Sequence, residues 1–369
     1  MKQLSWAVCA MALSWSQPVS AETRHYVIEW FAGASFNEPD DCVSGINPNV
    51  EFQYQHALSL IGYSKEEIEK LQQGGEGGGN LGSILANRGR IDGKPVNAYT
   101  NPSAVADSKH SYIGGKGSKY SLGFNLDSQG ADDPASLEDP VTHERGIDNE
   151  VFRALGCYEP FRGSLATRPS QWDYTWSGLR SGMQAWLVSI SGDDLMKDGD
   201  ATVTIQKAQE HVTIDAQGKV QNDMTFRINP DARSRNVYPA KLKNGVVEIT
   251  KHDNFTIVSG EIFMFPVLSL SNTHLRLTMK PDGTLTGLIG GYQRWVDFYE
   301  MSAAGAYPFE SSLGIDGPGG MYPLLRRLAD ANPDPKTGNN RDISVAYRLD
   351  AVPAFVIPAA DAQADQKNR

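Results

Sequence analysis

Four runs set the fold: AWLVSISG (185–192), ATVTIQKA (201–208), HVTIDA (211–216) and KVQNDMTFRI (219–228). Each is rich in the residue types that favour strands, with AQGK and KNG as turns. Working outward, KLKNGVVEIT (241–250) carries Asn244-Gly245, the residue pair that suits a type I′ hairpin turn. FTIVSGEIFMFPVLSLS (255–271) is apolar enough for a central strand pair, and LRLTMKPDGTLTGLIGGY (275–292) reads as a hairpin turned by Pro281-Asp282-Gly283. Short strands at regular spacing predict a mainly β, α+β chain. The expectation is an antiparallel β-sandwich, jelly-roll-like, over 176–300. A loop-rich, partly helical segment (22–175) precedes it, a helical and extended segment (301–358) follows, and 359–369 forms a polar tail.

Helices are predicted on both sides of this β region. Val50–Gly62 has helical spacing, and Ser64 with Glu67 makes a capping box for KEEIEKLQQ. Val296–Ala304 and Met321–Ala331 are also helical, the second with Leu324, Leu325 and Leu328 inward and Arg326-Arg327 outward. ISVAYRLDAV and PAFVIP (343–358) read as final strands. RHYVIEWFAG (24–33) is a candidate strand near the amino end.

Residues 1–21 read as a secretory signal, with Lys2, an apolar Leu4–Trp15 and a small-x-small Val19-Ser20-Ala21 site. That core is too short to span a membrane as a helix. The expectation is an exported bacterial protein, periplasmic or extracellular. Cys42 and Cys157 remain after cleavage, and an oxidising compartment would join them in one disulfide. Such a bridge stabilises by roughly 4–5 kcal/mol in the chain-entropy picture. The net charge of −10 argues against nucleic acid as a partner.

The densest chemistry lies in FNLDSQGADDPASLEDPVTHERGIDNEVFRALGC (124–157). Asp148 or Asn149 caps a short helix, which Gly156 is expected to end in a left-handed conformation. Asp127, Asp132, Asp133, Asp139, Asp148 and Asn149 offer the oxygen ligands that Ca²⁺ takes, although the spacing is not that of an EF-hand. A second acidic cluster, Asp193, Asp194, Asp198 and Asp200, is either a plain turn or a calcium loop. Trp172, Tyr174 and Trp176 are either core aromatics or a stacking platform for a ligand.

GIDNEVFRALGC (146–157), LRRLADANPDPKTGNNRDISVAYRLDAVPAFV (325–356) and CVSGINPNV (42–50) are similar to runs in a group of uncharacterised secreted bacterial proteins. The resemblance implies a single exported globular protein and carries no activity with it.

No G-x-S-x-G elbow, H-E-x-x-H pair, haem attachment or phosphate loop is present. His143, Glu144, Asp148 and Glu150 are the candidate catalytic groups, since a carboxylate pair needs no linear motif. Three readings follow: a non-catalytic exported protein binding a small ligand or calcium, a carboxylate-dependent hydrolase of polysaccharide or ester, and a cell-envelope interaction module. Neither haem nor nucleotide is expected as cofactor.

Overall fold

The computed structural model describes residues 21–37, 50–73, 81–108, 118–134, 136–156, 159–163, 168, 182–258, 267–303 and 316–358. Eight strands build the body: β1 (Glu22–Gly33), β2 (Gln184–Gly192), β3 (Gly199–His211), β4 (Asn236–Lys243), β5 (Val246–Ile249), β6 (Val267–Met279), β7 (Leu285–Arg294) and β8 (Asn340–Ile357). Each pairs antiparallel with its neighbour in chain order. β8 then pairs back onto β1, Tyr26 opposite Pro353 through Gly33 opposite Tyr347. The main sheet is therefore a closed eight-stranded up-and-down barrel, not the expected jelly-roll-like sandwich. The reason is the last pairing. Strand periodicity is the same in both architectures, and what separates them is a ladder between the two ends of the chain, which no local pattern encodes. The barrel also draws β1 and β8 from outside 176–300.

Alternation sets the two faces. β4 is strictly alternating, with Asn236, Tyr238, Ala240 and Leu242 buried and the residues between them exposed. Val188, Ile190, Val203, Ile205, Leu277, Ile289, Val345 and Leu349 join one apolar core. Phe31 stacks on Tyr347 at 5.0 Å and meets Trp186 edge-on at 5.2 Å. The lumen is thus filled by apolar side chains, which an eight-stranded barrel is just wide enough to hold. Thr202, Lys241, Glu248 and Arg348 are exposed on the outer faces. That polarity is the reverse of a barrel that turns its apolar side to lipid.

The two ends differ. At one end the turns are tight: 193–198, Asn244-Gly245 and 280–284. Asn244 and Gly245 both have positive φ, 52° and 78°, the type I′ geometry expected of Asn-Gly. At the other end the chain makes its long excursions, 34–183, 212–235, 250–266 and 295–339. These carry the helices α1 (Val50–Leu60), α2 (Lys65–Gln72), α3 (Leu81–Ala86), α4 (Glu150–Leu155), α5 (Glu159–Arg162), α6 (Trp295–Ala303) and α7 (Tyr322–Leu328). The capping box before α2 is formed by Ser64 and Glu67 as read. Val151, Phe152 and Leu155 of α4, Phe298 and Tyr299 of α6, and Leu324 and Leu325 of α7 continue the barrel core and plug that end.

Two excursions also clothe the outer wall. The strand Met224–Arg227 pairs in parallel with Ala354–Ile357, and Phe226 packs with Val27, Leu187 and Val352. The strand Phe255–Val258 pairs with the start of β6, so that pair lies off the barrel path rather than at its centre.

Candidate functional site

The acidic segment 118–149 lies against the outer faces of β6, β7 and β8. Phe124 sits on Gly290, where a Cβ would come within 2.8 Å of the ring. Asn272 Nδ2 donates to the Leu126 carbonyl at 3.0 Å, and Glu150 N donates to Ser344 Oγ at 3.0 Å. Arg276 on β6 reaches Glu248 at 2.6 Å, Glu144 at 3.7 Å and Asp139 at 3.9 Å. One guanidinium thus braces three carboxylates from the wall and the segment.

The sequence-predicted ligands of a cation are placed one by one. Asp139 Oδ1 accepts from the amides of Val141 and Thr142, and Asp127 Oδ1 from that of Gln129. Asp132 and Asp133 are exposed. Asn149 is fully buried. Its Oδ1 accepts from Phe152 N at 3.2 Å and caps α4, while Nδ2 donates to Ala34 O, Ser121 Oγ and Leu122 O. In the second cluster, Asp194 accepts from Met196 N and pairs with Lys197 at 2.6 Å. Asp198 accepts from Asn244 N, tying two tight turns together, and Asp200 pairs with Lys241 at 2.5 Å. Asp193 lies on the same turn. Among the described residues no group of three or more His, Cys, Asp or Glu could hold a metal ion. Short carboxylate side chains here close turns and accept from backbone N–H, the use their geometry favours.

Of the catalytic candidates, His143 is on an exposed turn with φ 60° and its Nδ1 lies 3.0 Å from Glu138. Glu144 belongs to the Arg276 brace, where burial raises its pKa above the usual range and Arg276 opposes that. Glu150 pairs with Arg153 at 2.8 Å. Asp148 differs. It is half-buried, and its Oδ2 accepts from Leu126 N at 2.7 Å and Asp127 N at 3.3 Å. Burial pushes its pKa up to about 6, with Asp127 and Glu150 adding to the rise and the two amides opposing it. Asp330, which the sequence did not single out, is raised the same way, burial first and then Glu150 and Asp148. Its side chain nevertheless reaches solvent. Both press on Tyr292, whose hydroxyl is raised well above its ordinary value by burial first and then by Asp148, Asp330 and Asp127.

Cys42, Cys157, Trp172, Tyr174, Trp176, residues 1–20 of the expected signal 1–21 and the tail 359–369 lie outside the described residues.

A concave site does exist, at the end of the long excursions. A groove of about 480 Å³ opens between the turn Pro102–Ala104, helix α7 and the start of β8. Pro102, Val105, Tyr322 and Pro323 supply apolar wall, and Ser103, Asn339, Asn340, Arg326 and Arg327 supply polar groups. Three contacts hold the walls. Arg327 is ion-paired with Asp107, which follows the Pro102–Val105 wall. Asn340 Nδ2 donates to Ala329 O at 2.8 Å, and Tyr322 packs edge-on against Trp295 at 5.1 Å and Tyr299 at 5.0 Å. Beneath them Arg88 and Asp316 form a fully buried ion pair, and Asp316 also accepts from Gly319 N at 3.0 Å. The sequence signal for this site was the outward Arg326-Arg327 pair; its facing wall, over 200 residues earlier in the chain, had none. No family model, curated protein or solved structure matches the chain.

Proposed function

We propose that this is an exported, non-catalytic protein that binds a small polar ligand in the groove between Pro102–Ala104, α7 and the start of β8. The observation that carries the reading is the groove itself. Its volume of about 480 Å³ falls in the range of roughly 300–1,000 Å³ usual for small-molecule sites. Its lining is more polar than apolar: Ser103, Asn339, Asn340 and the arginines supply orienting groups, and Pro102, Val105, Tyr322 and Pro323 add apolar faces. The packed lumen favours the groove over the barrel interior as the place of binding. Loops gathered at one end of a rigid barrel are where binding residues are commonly carried. The export reading rests on residues 1–21 of the sequence. A fragment library screened by protein amide NMR tests the reading. Shifts confined to residues 102–105, 322–329 and 338–340 support it, and hits that cluster anywhere else refute it.

A second reading, a carboxylate-dependent hydrolase, is favoured by one observation: Asp148, pushed up to about 6, stands near Asp330 and Tyr292. A carboxyl with a raised pKa is suited to general acid work near neutral pH. Chromogenic glycosides and esters offered to the protein and to Asp148→Asn decide it: turnover abolished by the substitution supports hydrolysis, and no turnover by the unsubstituted protein removes it.

A further inference from the structure

The groove carries a charge signature opposite to that of the chain. The chain has 44 acidic and 34 basic residues, yet the groove lining holds two arginines and neither aspartate nor glutamate. The two arginines are not equivalent. Arg327 is committed to Asp107, which lies just past the Pro102–Val105 wall and does not line the groove. Arg326 is exposed, lines the groove, and has no ion pair or hydrogen bond among the described residues. Elsewhere on the surface several arginines find carboxylates, Arg153 with Glu150, Arg227 with Glu210, Arg233 with Asp231 and Arg276 with Glu248, while Arg90, Arg145 and Arg341 bond to carbonyls and Arg235, among the described residues, is open like Arg326. What sets Arg326 apart from Arg235 is its place in the groove, where an open guanidinium can meet a negative group of a bound molecule.

We propose that the groove takes a small organic anion, its carboxylate held by Arg326 and its apolar body laid against Pro102, Val105 and Tyr322. The proposal rests on the groove being the binding site and names the class of ligand. The guanidinium fork matches a carboxylate with two parallel N–H donors, a fit that the point charge of lysine does not reproduce. An exposed ion pair alone contributes little and the apolar faces of the groove are smaller than its polar ones, so the affinity is shared between Arg326, the neighbouring polar groups and the apolar faces. Those faces are preset, because Tyr322 is wedged against Trp295 and Tyr299, and the Arg327–Asp107 pair ties α7 to the chain just past Val105. Preset walls bind without a further ordering cost.

The test uses the mature full-length chain and four probes in isothermal titration and amide NMR: benzoate, benzylamine, benzyl alcohol and inorganic phosphate. Benzoate is expected to bind and to shift signals of residues 102–105 and 322–329. Benzylamine, of the same shape and opposite charge, is expected to bind at least about ten-fold more weakly, and phosphate, which lacks the ring, more weakly than benzoate. Arg326→Gln is expected to weaken benzoate about ten-fold, and Arg326→Lys to recover part of that loss. Arg326 is exposed, so both variants should keep the unsubstituted circular dichroism spectrum. Benzylamine binding as tightly as benzoate, or Arg326→Gln leaving benzoate affinity unchanged, overturns the anion assignment. Phosphate binding as tightly as benzoate overturns the apolar half of it. If only benzyl alcohol shifts the groove signals, the anion class fails while the groove reading stands; if no probe does so, both fail.

Discussion

Replacing Asn149 by alanine should cost more than any other single change in the acidic segment. The side chain is fully buried and its amide serves five groups at once. Oδ1 caps α4 through Phe152 N and also accepts from Ala346 N of β8 at 3.4 Å. Nδ2 reaches Ala34 O at the end of β1, Ser121 Oγ and Leu122 O. One amide therefore joins the first strand, the last strand, the acidic segment and a helix. Loss of an N-cap costs about 1 kcal/mol. The change also leaves buried acceptors without a donor, at about 1–3 kcal/mol each. Ser121 Oγ also donates to Leu122 O at 3.2 Å, which spares that carbonyl. Ala34 O is the acceptor most exposed to the loss. The sum is about 2–4 kcal/mol. Urea unfolding followed by circular dichroism reads it as a lower midpoint with the slope unchanged, and hydrogen exchange should show amides of 121–126 and 150–155 opening first. Asn149→Asp should do no better, because it keeps the cap but places a buried charge beside Asp148 and Glu150. A loss under about 1 kcal/mol for the alanine variant would refute the reasoning, since the cap alone accounts for that much.

Further predictions concern the same wall and its ionisable groups. Gly290→Val must displace the Phe124 ring, which lies 2.8 Å from the added Cβ, and should cost about 1–3 kcal/mol, read as a lower melting temperature. Arg276→Gln should cost about 1–2 kcal/mol, because three carboxylates lose their shared cation; the difference from the unsubstituted protein should shrink as salt is added. Two groups act in opposite directions on acid stability. His274, stacked on His252 at 3.7 Å, is pushed down to about 4 by burial first and then by His252 and Arg276. Its contribution is full above pH 6.5 and is lost as pH falls towards 4, about 1–2 kcal/mol once solvent screening is allowed for. Asp148, raised to about 6, contributes in the other sense: its term is full below about pH 3.8 and is lost as pH rises through 6. Asp148→Asn should therefore be at least as stable as the unsubstituted chain at pH 7.5, with the gap closing by pH 4; a variant clearly less stable at pH 7.5 would show that the charge is needed.

Much of the secondary structure was legible because it is local. The Asn244-Gly245 and Pro281-Asp282-Gly283 turns, the Ser64–Glu67 capping box and the Asn149 cap all appear where residue type and backbone geometry agree. Gly156 was misread in one respect. Its φ is −63°, a right-handed value, and the glycine is needed because a Cβ would come within 2.4 Å of the Phe152 carbonyl. Barrel closure was not legible, because it depends on Tyr26–Gly33 meeting Tyr347–Pro353 across nearly the whole chain. The acidic residues drew attention as cation ligands, but Asp139, Asp194 and Asp198 accept from backbone amides that the sequence does not reveal. The groove was half legible. Arg326 and Arg327 stood out as a polar helix face, while Pro102, Ser103 and Val105 gave no sign of facing them.

Closure of the barrel sets β1 beside β8 and so makes neighbours of the excursions 34–183 and 295–339, between which the groove is built. Nuclear Overhauser contacts between backbone protons along β1 test it most directly. With the barrel closed, Val27 shows contacts to both Leu187 of β2 and Val352 of β8, and Ala32 shows contacts to Arg348. Contacts from β1 to β2 alone, with none to β8, would mean an open sheet and would contradict the architecture on which the binding site rests.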